Sequence, residues 1–396
     1  MKNKAKIGLM IAVAFALILI SGCIQDKCGD GICQKWEEKR GSCPEDCITF
    51  PTDSPVKSIE LFIAKGGRVD WHKGSAHELI TYDSISNTIL KNTEVYTVKP
   101  DGSDKQCITC DSEIPKGFVG QPAWHPNGEH IIIQVENSNS QHRVMEHVSF
   151  GFNNDLWIIK KDGTGAKRIW TTELNHAALH PHFSHDGTKL IFAERIPTGV
   201  RIPGVGNRTP GGENHWDGWQ IRIADFNPEN MEITKSIAIK PNGNGFYETN
   251  DFYNDEEFTY SFTPNGQPYV DDIYSIKTDG TKVVHIINSP TTWEEHGTFS
   301  PAGTGDFVFL SSRFDSTWKA PTSKPDTLAL ELFLKKTNGD IIQLTEMNKN
   351  ADSNIRYLVS DYDWDKDGKR IVIQIASVNK KTGKPNTAQI WMIEFK

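Results

Sequence analysis

The feature that most constrains this chain is a unit repeated six times: an aromatic residue, a tight turn carrying Gly or Asp, and a strand of alternating apolar residues. HFSHDGTKLIFAE from His182 shows it plainly, and after a variable loop GWQIRIADF from Gly218 supplies the next strand. The same order recurs in AWHPNGEHIIIQVE from Ala123 with DLWIIKKDGTGAKRIWTT from Asp155, and in TFSPAGTGDFVFLSS from Thr298 with LELFLKKTNGDIIQLT from Leu330. It recurs again in DWDKDGKRIVIQIAS from Asp363 with AQIWMIEFK from Ala388, and in WHKGSAHELITYD from Trp71 with EVYTVKPDGSDKQCIT from Glu94. In the fourth unit Thr263-Pro264-Asn265-Gly266 imitates the first turn but leaves too few residues for a strand before Asp272. Placing the turn at Asn254-Asp255-Glu256 restores the pattern, so the six anchoring aromatics are Trp71, Trp124, Phe183, Phe252, Phe299 and Trp364.

Four-stranded units at intervals of tens of residues, with turn residues at fixed offsets, specify an all-β, six-bladed β-propeller. The last unit lacks a fourth strand, while Ser58–Ile63 precedes the first unit as a lone strand. That lone strand is expected to complete blade six and close the ring, removing two open sheet edges. The propeller is expected over 58–396, after a Pro/Thr/Ser/Asp-rich linker at 50–57.

The six imperfect W-S-P-D-G turns resemble those of TolB-like propellers, and LHPHFSHDG, FYETNDFYNDEEF and WEEHGTFSP resemble a bacterial and archaeal lipoprotein subfamily of them. The resemblance covers about Ser58 to Lys396 and implies a binding platform, although a fold alone does not transfer function.

The N-terminus reads as an export signal over 1–22. Lys2, Lys4 and Lys6 precede an apolar run from Ile7 to Ile20 that is short for a membrane-spanning helix, then Ser21-Gly22-Cys23. This end resembles a prokaryotic lipobox, which implies cleavage before Cys23 and lipid on its sulfur; an uncleaved short anchor is the other reading. Both place the chain outside the cytoplasm, anchored to the outer face of the membrane. The formal charge of −8 and the lack of a basic cluster argue against nucleic-acid binding.

Seven cysteines divide into Cys23, a cluster of Cys28, Cys33, Cys43 and Cys47, and the pair Cys107 and Cys110. In an oxidising compartment the cluster is expected to form disulfides within a small module at 23–49, with three possible pairings. Its spacings of four, nine and three residues differ from paired zinc knuckles. CGDGICQKWEEKRGSCPEDC also resembles a cysteine-rich module beside the membrane anchor of archaeal surface proteins. Cys107-Ile-Thr-Cys110 has redox-motif spacing but ends a strand instead of opening a helix, so a structural disulfide is expected.

Alternating strand direction puts the first turn and the Asp-Gly turn on one face of the ring and the other loops on the opposite face. The long segments 137–154, 196–217, 313–327 and 378–387 all map to that second face, where binding is expected. Three residues before each anchor stand Arg68, Gln121, His180, Thr249, His296 and Asp361, and one residue before stand Asp70, Ala123, His182, Asp251, Thr298 and Asp363. These open the innermost strands and should face the central channel. Such a ring can bind a polar ligand or a divalent metal, with His176, His180, His182 and His296 as metal candidates and Arg68, Gln121, Glu248, Glu295 and Asp361 as ligand or channel residues. A water-filled tunnel of mutually bonded polar groups is the alternative.

Asp363-x-Asp365-x-Asp367-Gly368 opens like a calcium loop, but no Glu follows at the twelfth position and the repeat's turn explains it. No G-x-S-x-G elbow, H-E-x-x-H or phosphate loop is present, and Asn207-Arg208-Thr209 is a glycosylation sequon. His180-Pro181-His182 is similar to the paired histidines of oligogalacturonate lyases, which implies a metal-dependent polysaccharide lyase or hydrolase as the alternative function. Ala177 stands where that family's motif has Gln, and six blades stand where it has seven. The favoured expectation is a monomeric, lipid-anchored platform for a surface protein or glycan; a subunit of an envelope complex is a third.

Overall fold

The computed structural model describes residues 49–87, 91–199, 213–267, 270–320, 327–349, 354–383 and 385–396. The signal segment, Cys23, the cluster Cys28, Cys33, Cys43 and Cys47, and Asn207 lie outside them.

The repeat folds as its spacing requires. Six four-stranded antiparallel sheets form, five of them from four consecutive strands. Each innermost strand ends on its anchor: Val69–Trp71, Val119–Trp124, Ala177–Phe183, Gly245–Phe252, Glu294–Phe299 and Ile355–Trp364. In the sixth sheet Val56–Ile63 pairs with Pro385–Phe395, placing Ile59 opposite Ile393. The chain is a closed six-bladed β-propeller, with its lone first strand completing the last blade.

The alternating residues of each sheet pack against the next blade. Ala123, Ile132 and Leu156 of blade two bury against Ala178, Leu190 and Phe192 of blade three. Val69, Trp71 and Ile80 of blade one bury against Val372 and Ile390 of blade six. Each such large apolar side chain contributes roughly 1.5–3 kcal/mol when fully buried. A further apolar layer joins Trp216, from the 196–217 segment, to Trp293, Trp318 and Leu328 on the second face.

One expectation fails here. The segment 378–387 is the tip of a long hairpin, with Ser377 opposite Thr387 and Val378 opposite Pro385. The strands Arg370–Asn379 and Pro385–Phe395 take up both ends of that segment.

Candidate functional site

Polar residues on the innermost strands meet at the axis because those strands bulge. Register shifts interrupt the pairing between Gly120 and Ala123, Leu179 and His182, and Glu295 and Thr298. At the bulges Gln121, His180 and His296 hold φ of 52°, 52° and 48°, a region unfavourable for residues with a Cβ. Each strained amide is held by the second strand of the preceding blade. The Gln121 N–H donates to Asp83 Oδ2 at 2.8 Å, the His180 N–H to Gln134 Oε1 at 3.0 Å, and the His296 N–H to Ser261 Oγ at 3.2 Å.

Gln121, His180 and His296 at these bulges meet Arg68, His182, Glu248 and Asp361 at the axis. Arg68 donates through Nη1 to Gln121 Oε1 at 2.8 Å and to Asp361 Oδ1 at 3.1 Å, and its Nη2 lies 2.6 Å from His182 Nε2. His180 Nδ1 is 3.0 Å from Glu248 Oε1, and His296 Nε2 is 2.9 Å from Asp361 Oδ1 and 3.9 Å from Glu248 Oε1. Neither His180 Nδ1 nor His296 Nε2 is aligned for a hydrogen bond, and both are buried, as is the unpartnered His296 Nδ1. The ligand atoms of His180, Glu248 and His296 lie within 4.8 Å of one another. Two buried imidazole nitrogens and a carboxylate oxygen this close form a donor set that could hold a divalent cation.

Charge is distributed unevenly over this cluster. Burial and the Arg68 guanidinium hold His182 down to about 3 and His180 well below the usual imidazole range. Burial also works against a charged His296, but the Asp361 and Glu248 carboxylates outweigh it and raise the ring to about 9. Burial pushes Glu248 up to about 7. It opposes ionisation of Asp361 as well, yet Arg68 and His296 hold that carboxyl below its ordinary value.

The other candidates are placed differently. Glu295 lies beside His296 but accepts from Trp293 Nε1 at 2.7 Å, and burial raises its carboxyl. His176 is not in the cluster: it precedes the strand that begins at Ala177, and its Nε2 lies 3.7 Å from Glu173 Oε2. Thr249 turns from the axis to donate to the His180 carbonyl at 2.6 Å. Cys107, which ends the outermost strand of blade one, forms a disulfide with Cys110 in the turn beyond it.

Lys73 and Asp83 were not among the sequence candidates. Lys73 Nζ sits 2.7 Å from Asp363 Oδ1 and 3.4 Å from Asp251 Oδ2, and these carboxylates overcome its burial to keep it protonated. Asp363 and Asp70 also accept the anchor amides of the following blade, Trp71 at 2.7 Å and Trp124 at 2.7 Å. The sequence signal for Asp83, as for Gln134 and Ser261, is a polar residue within an apolar strand. Lys73 has none beyond its place in the first turn.

Above this layer a cavity of about 470 Å³ opens among the first turns, lined by Lys73, His182, His185, Asp251 and Tyr253 beside the anchors Trp71 and Trp124. Beneath it, a void of about 10 Å³ reaches Arg68, His296 and Asp361. Both are bordered by Asp70, His182 and Asp251. The larger of these two cavities is therefore on the face opposite the long loops.

No protein-family model and no curated protein matches the chain. Solved structures do. TolB from Acinetobacter baumannii is similar over 77% of this chain at 14% identity and a TM-score of 0.45, and the match spans only 60% of that protein. A putative TolB from Agrobacterium tumefaciens is similar over 86% of this chain and 98% of its own, at 14% identity and a TM-score of 0.48. An oligogalacturonate lyase in complex with manganese is similar over 88% and 96%, at 9% identity and a TM-score of 0.48. At such identities and scores no residue role passes from these proteins to this chain.

Proposed function

We propose that this protein is an extracytoplasmic, lipid-anchored propeller that binds a surface protein or glycan at its first-turn face, above a channel that holds a divalent metal. One observation carries the reading: an open cavity of about 470 Å³ lies over a channel whose own void is about 10 Å³. Small-molecule sites occupy roughly 300–1,000 Å³, and a catalytic metal needs a position its substrate can reach. The cavity meets the first requirement, and among the described cavities none is lined by His180, Glu248 and His296 together, which favours binding over polysaccharide cleavage.

His180, Glu248 and His296 would hold the metal; the buried, unpartnered histidine nitrogens fit it once His296, raised to about 9 by Asp361 and Glu248, gives up its proton. These residues come from blades three, four and five, and a divalent cation held by them would supply positive charge beside Glu248. Arg68 and Asp361 fix the surrounding rings, while Lys73 and Asp251 present a donor and an acceptor to the cavity.

The test is the metal content of the full-length protein purified without chelator, beside His180→Ala and His296→Ala. Near-stoichiometric metal lost in both variants supports the channel site. Metal-free wild type overturns it, and cleavage of uronate glycans by the loaded protein would overturn the preference for binding. Glycan and surface-protein binding by wild type, weakened in Asp251→Ala, tests the cavity separately.

A further inference from the structure

The Cys107–Cys110 bridge is poorly explained as a structural staple. It spans two residues, the case in which a disulfide removes least entropy from the unfolded chain. The joint beside it also closes without a bridge elsewhere in the ring. In blade one Thr109 Oγ1 donates to Glu94 and accepts the Val95 N–H at 2.9 Å. Blade five repeats this with Thr345, Glu331 and the Leu332 N–H, and blade two pairs Thr172 with Asp155, neither with cysteines at the joint.

What blade one adds is chemical. The Cys110 N–H donates to Cys107 Sγ at 3.1 Å, so a thiolate on Cys107 meets an aligned backbone donor without a helix. Lys116 Nζ lies 2.6 Å from the Cys110 carbonyl, 2.9 Å from that of Thr109 and 3.2 Å from Glu94 Oε1. The buried Glu94 carboxylate falls within 4.8 Å of both sulfurs. Ile108 and Thr109 are buried and fix the loop, while both cysteines are partly exposed. A fixed, reachable sulfur pair with an N–H on Cys107 Sγ and an ammonium on the Cys110 carbonyl favours a thiolate, and the Glu94 carboxylate acts against it.

We propose that Cys107–Cys110 is a thiol–disulfide exchange site that oxidises peptide dithiols. A substrate thiolate attacks Cys110 Sγ, forming a mixed disulfide while the electron pair of the protein's S–S bond passes to Cys107 Sγ beside the Cys110 N–H. The better stabilised thiolate leaves faster, which sets this direction of attack. The second substrate thiolate then attacks the substrate sulfur of the mixed disulfide and expels Cys110, which takes up a proton. The substrate loses two electrons and two protons and becomes a disulfide; the protein becomes a dithiol. Glu94 and Lys116 are positioning residues that set the field at Cys107.

The test mixes oxidised full-length protein with a reduced two-cysteine peptide under anaerobic conditions at pH 7. The expected result is one peptide disulfide per protein, at an initial rate at least tenfold above that of an oxidised unstructured peptide containing Cys-Ile-Thr-Cys, with the new thiols mapped to Cys107 and Cys110. Cys107→Ser/Cys110→Ser should fold and lose the reaction. Alkylation of reduced Cys107 should show a midpoint below the ordinary thiol value of about 8.5, raised in Lys116→Met and lowered in Glu94→Gln. A rate equal to that of the free peptide, oxidation that persists in the double variant, an ordinary midpoint, or unfolding of the double variant would each overturn the proposal.

Discussion

His180 Nδ1 and Glu248 Oε1 stand 3.0 Å apart across the junction of blades three and four, and the histidine nitrogen is buried without a hydrogen bond. A cation held at that junction would couple metal binding to the stability of the ring. Zinc or manganese at about 100 times Kd should stabilise the chelated protein by roughly 2.7 kcal/mol. The Tm should rise accordingly in wild type and stay fixed in His180→Ala/His296→Ala; scanning calorimetry with and without metal checks this.

Arg68 is the guanidinium partner of Asp361 in the channel, with a side chain only 5% exposed. Arg68→Met leaves Asp361 buried without its guanidinium partner and should cost about 3–5 kcal/mol. Adding Asp361→Asn should recover part of that loss. A urea double-mutant cycle measures the coupling, and additive losses would show that the pair does not stabilise the channel.

Asp83 gives the protein a defined acid-side dependence. Burial pushes its carboxyl up to about 7, although the Gln121 N–H works in the other direction. The folded state therefore keeps a proton that the unfolded chain releases near pH 4, and stability contributed by this group declines as pH rises from about 4 to about 7. Asp83→Asn should flatten that decline while still accepting the Gln121 N–H. Urea midpoints at pH 4.5, 6 and 7.5 for both proteins decide it.

The bulge at Gln121 can be separated from its side chain. Gln121→Ala and Gln121→Gly both lose the Arg68 hydrogen bond, but only glycine relieves the positive φ. The glycine variant should be the more stable by about 1–2 kcal/mol. Equal urea midpoints would show that the strain is relaxed elsewhere.

The architecture was legible because anchors and turns recur at fixed offsets, so even Phe252 in the irregular fourth unit and the closing strand near Ser58 could be placed. The axis was less legible. Spacing put Thr249 and His180 at equivalent positions, but the bulge falls after Thr249 in blade four and before His182 in blade three. Glu248 consequently meets His180, and Thr249 does not face the axis. His176 was grouped with its neighbours by sequence proximity, although the strand starts one residue later. Loop length pointed to the second face, yet Trp216 and Trp318 of those loops pack into a common apolar layer. Lys73 carried no signal, because its partners Asp251 and Asp363 come from blades four and six.

The strand that closes the ring also sets when folding can finish. Lys57 and Glu394 form an ion pair at 2.8 Å although 337 positions separate them. Contacts of such separation carry a large loop-closure cost and form slowly. Until they form, Pro385–Phe395 has an unpaired edge able to recruit another chain. Blades one to five can assemble in order as the polypeptide emerges, but the sixth depends on a segment delivered at the outset and held open until the end. A chain terminated before Pro385–Phe395 would thus leave two open edges, on Val56–Ile63 and on Arg370–Asn379.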